Sequence, residues 1–257
     1  MCECIGISPR LEGATLEERI EKTDRQKATE MFQDGIQAGF PIILGYIPVA
    51  ITFGVLAGQT GMSLLEITLM SALVFAGASQ FMGVNMIAAS AGMIEIIIAT
   101  FILNFRHFIM SLSFMNEVRE HFPFKAKLTL SLTLTDEAFA VSSLNKENIK
   151  KEQGVYFYLA IYIIGYFSWV FGSFLGGLLG DFIPEQLSQS MGIALYAMFI
   201  GLLIPTVKKE MKFGLIAIIA MLINLLASQF VSSGWAVVLG TVFGGLSGVY
   251  FLKEKER

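Results

Sequence analysis

Beyond residue 40 the chain passes repeatedly between apolar runs of about 18 residues or more and short connections rich in glycine, proline and charge. None of the runs alternates residue by residue, as the strands of a membrane barrel would. At about 1.5 Å per residue, each is long enough to pass a hydrocarbon core about 30 Å thick. The pattern predicts an all-α, polytopic helical membrane protein, because a helix satisfies its own backbone hydrogen bonds in lipid. Segments are expected at 40–58, 66–88, 91–115, 128–144, 155–180, 189–206, 213–232 and 235–252, giving seven or eight crossings. The third and fourth are the most polar, so one of them is a candidate for a broken or re-entrant helix. Residues 1–39 read as a cytosolic segment with an interfacial helix from Leu16, 40–252 as the integral-membrane domain, and 253–257 as a basic cytosolic tail.

Composition agrees with this picture. The chain is 54% hydrophobic and 15% charged, with a mean hydropathy of +0.66, where a soluble domain carries roughly 25% charge. Net charge, at −3, does not point to nucleic acid. The placement of Lys and Arg matters more, because it orients the spans. Basic residues gather at Arg19, Lys22, Arg25 and Lys27, at Lys146, Lys150 and Lys151, at Lys208, Lys209 and Lys212, and in "KEKER". The connections "GQTGMSLLE", "GDFIPEQLS" and "SSGW" have none. This predicts a multi-pass protein of a prokaryotic cell membrane with both termini cytoplasmic. One connection dissents: eight crossings put Arg119, Lys125 and Lys127 outside. Cys2 and Cys4 read as free cytosolic thiols with no metal or cofactor, and residues 1–39 hold no apolar stretch of the kind a cleaved signal needs.

Glycines at four-residue spacing (Gly54 and Gly58; Gly172, Gly176 and Gly180; Gly240, Gly244 and Gly248) mark close helix contacts, the last stripe serving either internal packing or a partner subunit. "ITFGVLAGQTG" (51–61) echoes "WVFGSFLGGLLG" (169–180), which suggests two related halves.

The chemistry lies halfway along the spans. Ser79 and Gln80, then Asn104, Arg106 and His107, then Asp136 and Glu137 fall near the middles of successive segments, and Pro48 interrupts the first. A charged side chain at a helix centre costs about 2.5–3.5 kcal/mol to insert. Unpaired, Arg106, Asp136 and Glu137 would therefore cost roughly 8–10 kcal/mol, comparable with a domain's whole stability of about 5–15 kcal/mol. They must pair, protonate or face water. Asn104, His107 and Ser111 share one helical face, as Thr129, Thr133 and Asp136 would on the fourth segment, so two polar stripes can line one chamber. Asp136 or Glu137 is the candidate proton carrier and Arg106 the fixed charge that holds a carboxylate.

Gly77-Ala78-Ser79 followed by His107 also has the order of a rhomboid-type intramembrane serine hydrolase. Arg106 beside the histidine weakens it as a general base, and two mid-depth acids have no use in that chemistry. Binding of a small zwitterion by Gly77, Ser79, Gln80, Asn104, Arg106 and His107, with Phe75 and Phe81 flanking an aliphatic group, accounts for more of these residues. The chain is expected not to be an enzyme. A passive channel for a small polar solute would keep the stripes and dispense with a titrating acid. No Gly-x4-Gly-Lys-[Ser/Thr] loop is present, so no ATP drive is expected from this chain.

"FAGASQF" (75–81), "NFRHFIMSLSF" (104–114), "TDEAFA" (135–140) and "ALYAMFIGLL" (194–203) resemble the AzlC family, the large subunit of bacterial branched-chain amino-acid exporters. The similarity runs from about residue 35 to 250, with a departure at Ile109-Met110, where the family carries Leu-Tyr. It implies export of branched-chain or similar neutral aliphatic amino acids and work with a small hydrophobic membrane subunit of the AzlD type.

Overall fold

The computed structural model describes residues 16–182, 193, 197, 200, 201 and 203–253. Cys2, Cys4, most of the segment expected at 189–206 and the end of the basic tail lie outside the described residues. All regular structure among the described residues is helical.

The first helix, α1 (Leu16–Gln59), continues unbroken through Pro41 and Pro48 for 44 residues. The expected interfacial helix and first crossing are therefore one rod, ended by a turn in which Gly61 takes φ +88°. Two short helices follow, α2 (Leu64–Val74) and α3 (Gly77–Ala88), then the long α4 (Met93–Glu117). Two more short ones, α5 (Phe124–Leu132) and α6 (Asp136–Leu144), lead through a 3-10 turn at Lys146–Lys150 into α7 (Gly154–Leu179). A second pair of apolar helices, α8 (Met211–Ala227) and α9 (Ser233–Lys253), completes the described chain.

α1 and α7 run side by side in the same direction. A Cβ at Gly35 would fall 2.3 Å from Phe157 O, and one at Gly176 would fall 2.1 Å from Ile51 O, so both ends of the pair are in backbone contact. Lys27 Nζ donates to Glu152 Oε2 at 2.5 Å, where α1 passes the start of α7. That end of the molecule is its basic end. The two echoing segments, 51–61 and 169–180, meet at the opposite end, where a Cβ at Gly54 would reach Ser173 O within 2.2 Å.

α2 and α3 form a hairpin, not a crossing. Gln80 Nε2 donates to Ser71 Oγ at 2.9 Å, although nine residues of continuous helix would separate them by about 13 Å. Met70 likewise lies against Gly83. The hairpin enters from the end opposite the basic one, since Leu64 and Ile67 touch Gly177 near the end of α7. α4 then returns to the basic end. α5 and α6 form the second hairpin from there: Lys127 Nζ donates to Arg119 O at 3.1 Å just beyond α4, and Lys146 pairs with Glu117 at 2.7 Å. The segment expected as a crossing at 66–88 is thus corrected to a re-entrant hairpin, and of the two candidates for a broken or re-entrant helix it is 128–144 that forms one. Helices of 9–12 residues reach only about 14–18 Å, half a hydrocarbon core. Within 16–182, α1, α4 and α7 are the helices long and apolar enough to cross a membrane.

This arrangement removes the charge dissent. With α2–α3 turning back, Arg119, Lys125 and Lys127 arrive at the basic end with Lys27 and Lys146.

The main core joins α1, α3, α4 and α7 through Phe53, Phe81, Val84, Phe114, Tyr158 and Ile161. The last glycine stripe packs internally: Gly240 and Gly244 lie on Ala220 and Gly248 on Ile216 of α8. α9 meets α3 and α4 where Val238 clusters with Met86 of α3 and Ala99 of α4.

Candidate functional site

Both hairpin tips end halfway through the molecule, and each stops for a local reason. α2 stops at Phe75, whose backbone is left-handed at φ 43°, ψ 46°, and α3 begins at Gly77. α5 stops at Thr133, and Thr135 is extended at φ −125°, ψ 168° with its side chain accepting from Ala138 N, an N-cap that starts α6. Thr129, Thr133 and Asp136 therefore do not form the continuous stripe expected of an unbroken fourth span.

A cavity of about 30 Å³, room for about two waters, lies between the tips. Its polar side consists of Arg106 and His107 from α4, Thr135, Asp136 and Glu137 from the second tip, and Tyr46 from α1. Its apolar side consists of Phe75, Ala76, Gly77 and Ala78 of the first tip with Trp169 of α7. The N-terminal ends of α3 and α6 both reach this space, and the positive ends of their dipoles favour an anion there.

Arg106 Nη1 holds Asp136 Oδ2 at 2.9 Å, with 34% and 22% of the two side chains exposed. Glu137 is bound differently. Tyr46 Oη lies 2.6 Å from Glu137 Oε2 and 2.7 Å from Thr135 Oγ1. Tyrosine has one proton to give, and a carboxylate can only accept, so Tyr46 donates to Glu137 and receives from Thr135. Glu137 Oε1 is buried with no hydrogen-bond partner among the described residues. The two adjacent acids thus occupy different settings, one salt-bridged and one half-satisfied by a single neutral hydroxyl.

Of the residues expected at the site, Phe75, Gly77, Arg106, His107, Asp136 and Glu137 line the cavity. Ser79, Gln80, Asn104 and Phe81 do not. Ser79 Oγ donates to Asn104 Oδ1, which ties α3 to α4 and leaves no Ser79 proton for His107. Gln80 is fully enclosed, giving Nε2 to Ser71 and accepting from Trp169 Nε1 at 2.9 Å. Phe81 packs edge-on against Phe53 in the core, their centroids 5.6 Å apart. The face of α4 that carries Asn104, His107 and Ser111 meets three neighbours in turn: the first hairpin, the cavity, and Ser131 O of the second hairpin at 3.1 Å.

Sequence reasoning missed Tyr46, Thr135 and Trp169. Tyrosine and tryptophan within an apolar run carry no mark that separates a cavity wall from core. Thr135 did carry one, since threonine followed by two acids is the signature of a helix start.

The sequence model of a family described as AzlC protein matches residues 41–183, more than half the chain and all of the cavity. An uncharacterized membrane protein of Archaeoglobus fulgidus is 33% identical over 225 residues, covering 85% of this chain and 96% of the relative. The inner membrane protein YgaZ of Escherichia coli is 27% identical over 223 residues, 85% of this chain and 89% of its own. A Bacillus subtilis protein named branched-chain amino acid transport protein AzlC is 24% identical over 223 residues, 85% of this chain and 86% of its own. No solved structure matches the chain.

Proposed function

Because the chain belongs to the AzlC family, we propose that it is a secondary transporter that exports branched-chain or similar neutral aliphatic amino acids across the cell membrane. One observation carries the reading. An ion pair, Arg106–Asp136, stands at the meeting point of two re-entrant tips, with an apolar wall across a small cavity. An amino-acid zwitterion carries the same two charges. Its carboxylate would take Arg106 and its ammonium Asp136, so that the internal pair is exchanged for two pairs with the substrate and no charge is left bare. The transport name of the Bacillus subtilis relative supports this reading.

The cavity is smaller than a valine, so loading must widen it. Glu137 is the second carboxylate, and its unbonded Oε1 is where a coupling proton would sit. The basic end would face the cytoplasm, as the placement of Lys and Arg favours. The resemblance to two-component exporters supports a small AzlD-type subunit as a partner. Co-purification with that subunit tests this last point independently.

The transport test is flux of radiolabelled valine in proteoliposomes with and without a pH gradient. Saturable, gradient-driven flux is expected in the native protein; Asp136→Asn should abolish the flux and Glu137→Gln its dependence on the gradient, both leaving insertion intact. Non-saturating flux indifferent to the gradient would replace this reading with a passive channel. Normal coupling in both Asp136→Asn and Glu137→Gln would remove the carboxylates from the mechanism.

A further inference from the structure

We infer that the indole of Trp169 is the wall that fixes how large a substrate side chain the cavity accepts; the inference rests on the amino-acid reading of that cavity. The lining is divided. The charged groups that would take the head of a zwitterion come from α4 and the second tip, so its side chain is left facing the first tip and α7. On that apolar side Ala76, Gly77 and Ala78 contribute little bulk. The ring of Phe75 is engaged with Tyr166, at a centroid separation of 5.0 Å. Trp169 is the remaining large group.

Its position is fixed from three directions. Nε1 donates to Gln80 Oε1 at 2.9 Å, and Gln80 in turn is anchored to Ser71 at 2.9 Å. The ring of Tyr46 meets it edge-on at 5.4 Å and 78°. Finally, a Cβ on Gly77 would stand only 2.7 Å from Trp169 Cη2, so the six-membered ring lies directly on the backbone of the hairpin tip. Glycine is needed at residue 77 to make room for the indole. Swinging the indole aside would strand a buried N–H and a buried amide oxygen together, which makes the wall rigid. A rigid wall sets a size limit. Aliphatic side chains fit in front of it once the charged pair has opened, and aromatic ones are turned away.

The chain has two tryptophans, and the other, Trp235 on α9, is 40% exposed. Trp235→Phe therefore makes Trp169 the sole emitter without touching the cavity. In that variant, titration of the full-length purified protein with valine, leucine and isoleucine should give a saturable change in tryptophan emission. In flux competition, Trp169→Leu should raise phenylalanine relative to valine by about tenfold or more, the scale on which a hydrophobic pocket discriminates size. Gly77→Ala, which pushes the indole into the cavity, should lower leucine relative to alanine. Such ratios within one variant do not depend on how much of it folds. If valine is transported while the emission of Trp169 stays unchanged at saturation, the inference is overturned, even if Trp169→Leu is itself inactive. An unaltered phenylalanine-to-valine ratio in an active Trp169→Leu overturns it equally. If the native protein neither binds nor moves any amino acid, the transport reading fails and takes the inference with it.

Discussion

The two hairpins reach the same cavity from opposite ends and are held there by different chemistry. α3 buries Ser79, Gln80, Phe81, Gly83, Val84 and Met86, and its polar anchor is neutral: Ser71, Gln80 and Trp169 bonded in a buried site. α5 buries Leu130, and α6 buries Ala138 and Ser142. Their tip is held by charge, through Arg106–Asp136 and Tyr46–Glu137, with the ion pair partly exposed. A neutral network closed off from solvent, with Ser71, Gln80 and Trp169 all buried, has little to exchange with. A partly exposed ion pair can exchange, with solvent or with a ligand that carries both charges. The first hairpin is therefore part of the scaffold, and the second is the part that the proposed zwitterion would release. Few buried contacts and exposed polar ones are also what place a segment at the low end of local stability.

The largest expected effect is all-or-none and concerns sidedness. With Cys2 and Cys4 replaced by serine, a single cysteine at Lys125 should be labelled by an impermeant reagent from the same side as one at Lys146, and from the side opposite Thr60. Labelling of the Lys125 site from the Thr60 side would make α2–α3 a crossing and dissolve the comparison.

Next is Gln80→Leu, which strands Ser71 Oγ and Trp169 Nε1. At about 1–3 kcal/mol for each orphaned buried group, stability should fall by about 2–6 kcal/mol, read as a lower Tm of the detergent-solubilised protein. A loss below about 0.5 kcal/mol, the lower end of what one ordinary hydrogen bond contributes, would mean that the first hairpin is not anchored this way. Arg106→Leu should cost less, about 2 kcal/mol, because the roughly 3–5 kcal/mol of a fully buried pair is reduced by exposure. Adding Asp136→Asn should restore most of it, since the stranded charge is removed. Simple additivity of the two losses would show that the pair does not couple. The smallest effect is Thr135→Ala, about 1 kcal/mol for a lost N-cap, visible as faster amide exchange in α6 with α3 unchanged. Equal acceleration in both helices would erase the distinction between the hairpins.

Much of this was legible in the residues. Hydropathy alone picks out α1, α4 and α7, and the convergence of Arg106, Asp136 and Glu137 follows from their depth along apolar runs. The hairpins were hidden because their connections are short, Phe75-Ala76 in the first and Thr133-Leu134-Thr135 in the second. Phe75 and Ala76 continue the hydrophobic run between α2 and α3, so the two read as one segment of spanning length. Nothing about a phenylalanine announces a left-handed backbone. Two clues to the turn-backs were nevertheless present: the stray Arg119, Lys125 and Lys127, and the helix-start signature at Thr135-Asp136-Glu137. Gln80 and Ser79 sit in contacts between helices instead of on the cavity wall for a physical reason. A polar group at mid-depth must be satisfied, and a neighbouring helix can do that as well as a ligand.

The contact between α1 and α7 limits which parts of the protein can move. Where Gly176 faces Ile51 and Gly35 faces Phe157, the chains already touch through their main-chain atoms. Sliding or twisting one rod against the other would drive a Cα into a carbonyl before any side chain could yield. These two helices thus act as a chassis, and the displacement needed to carry a passenger through the membrane has to come from the lighter pieces mounted on it.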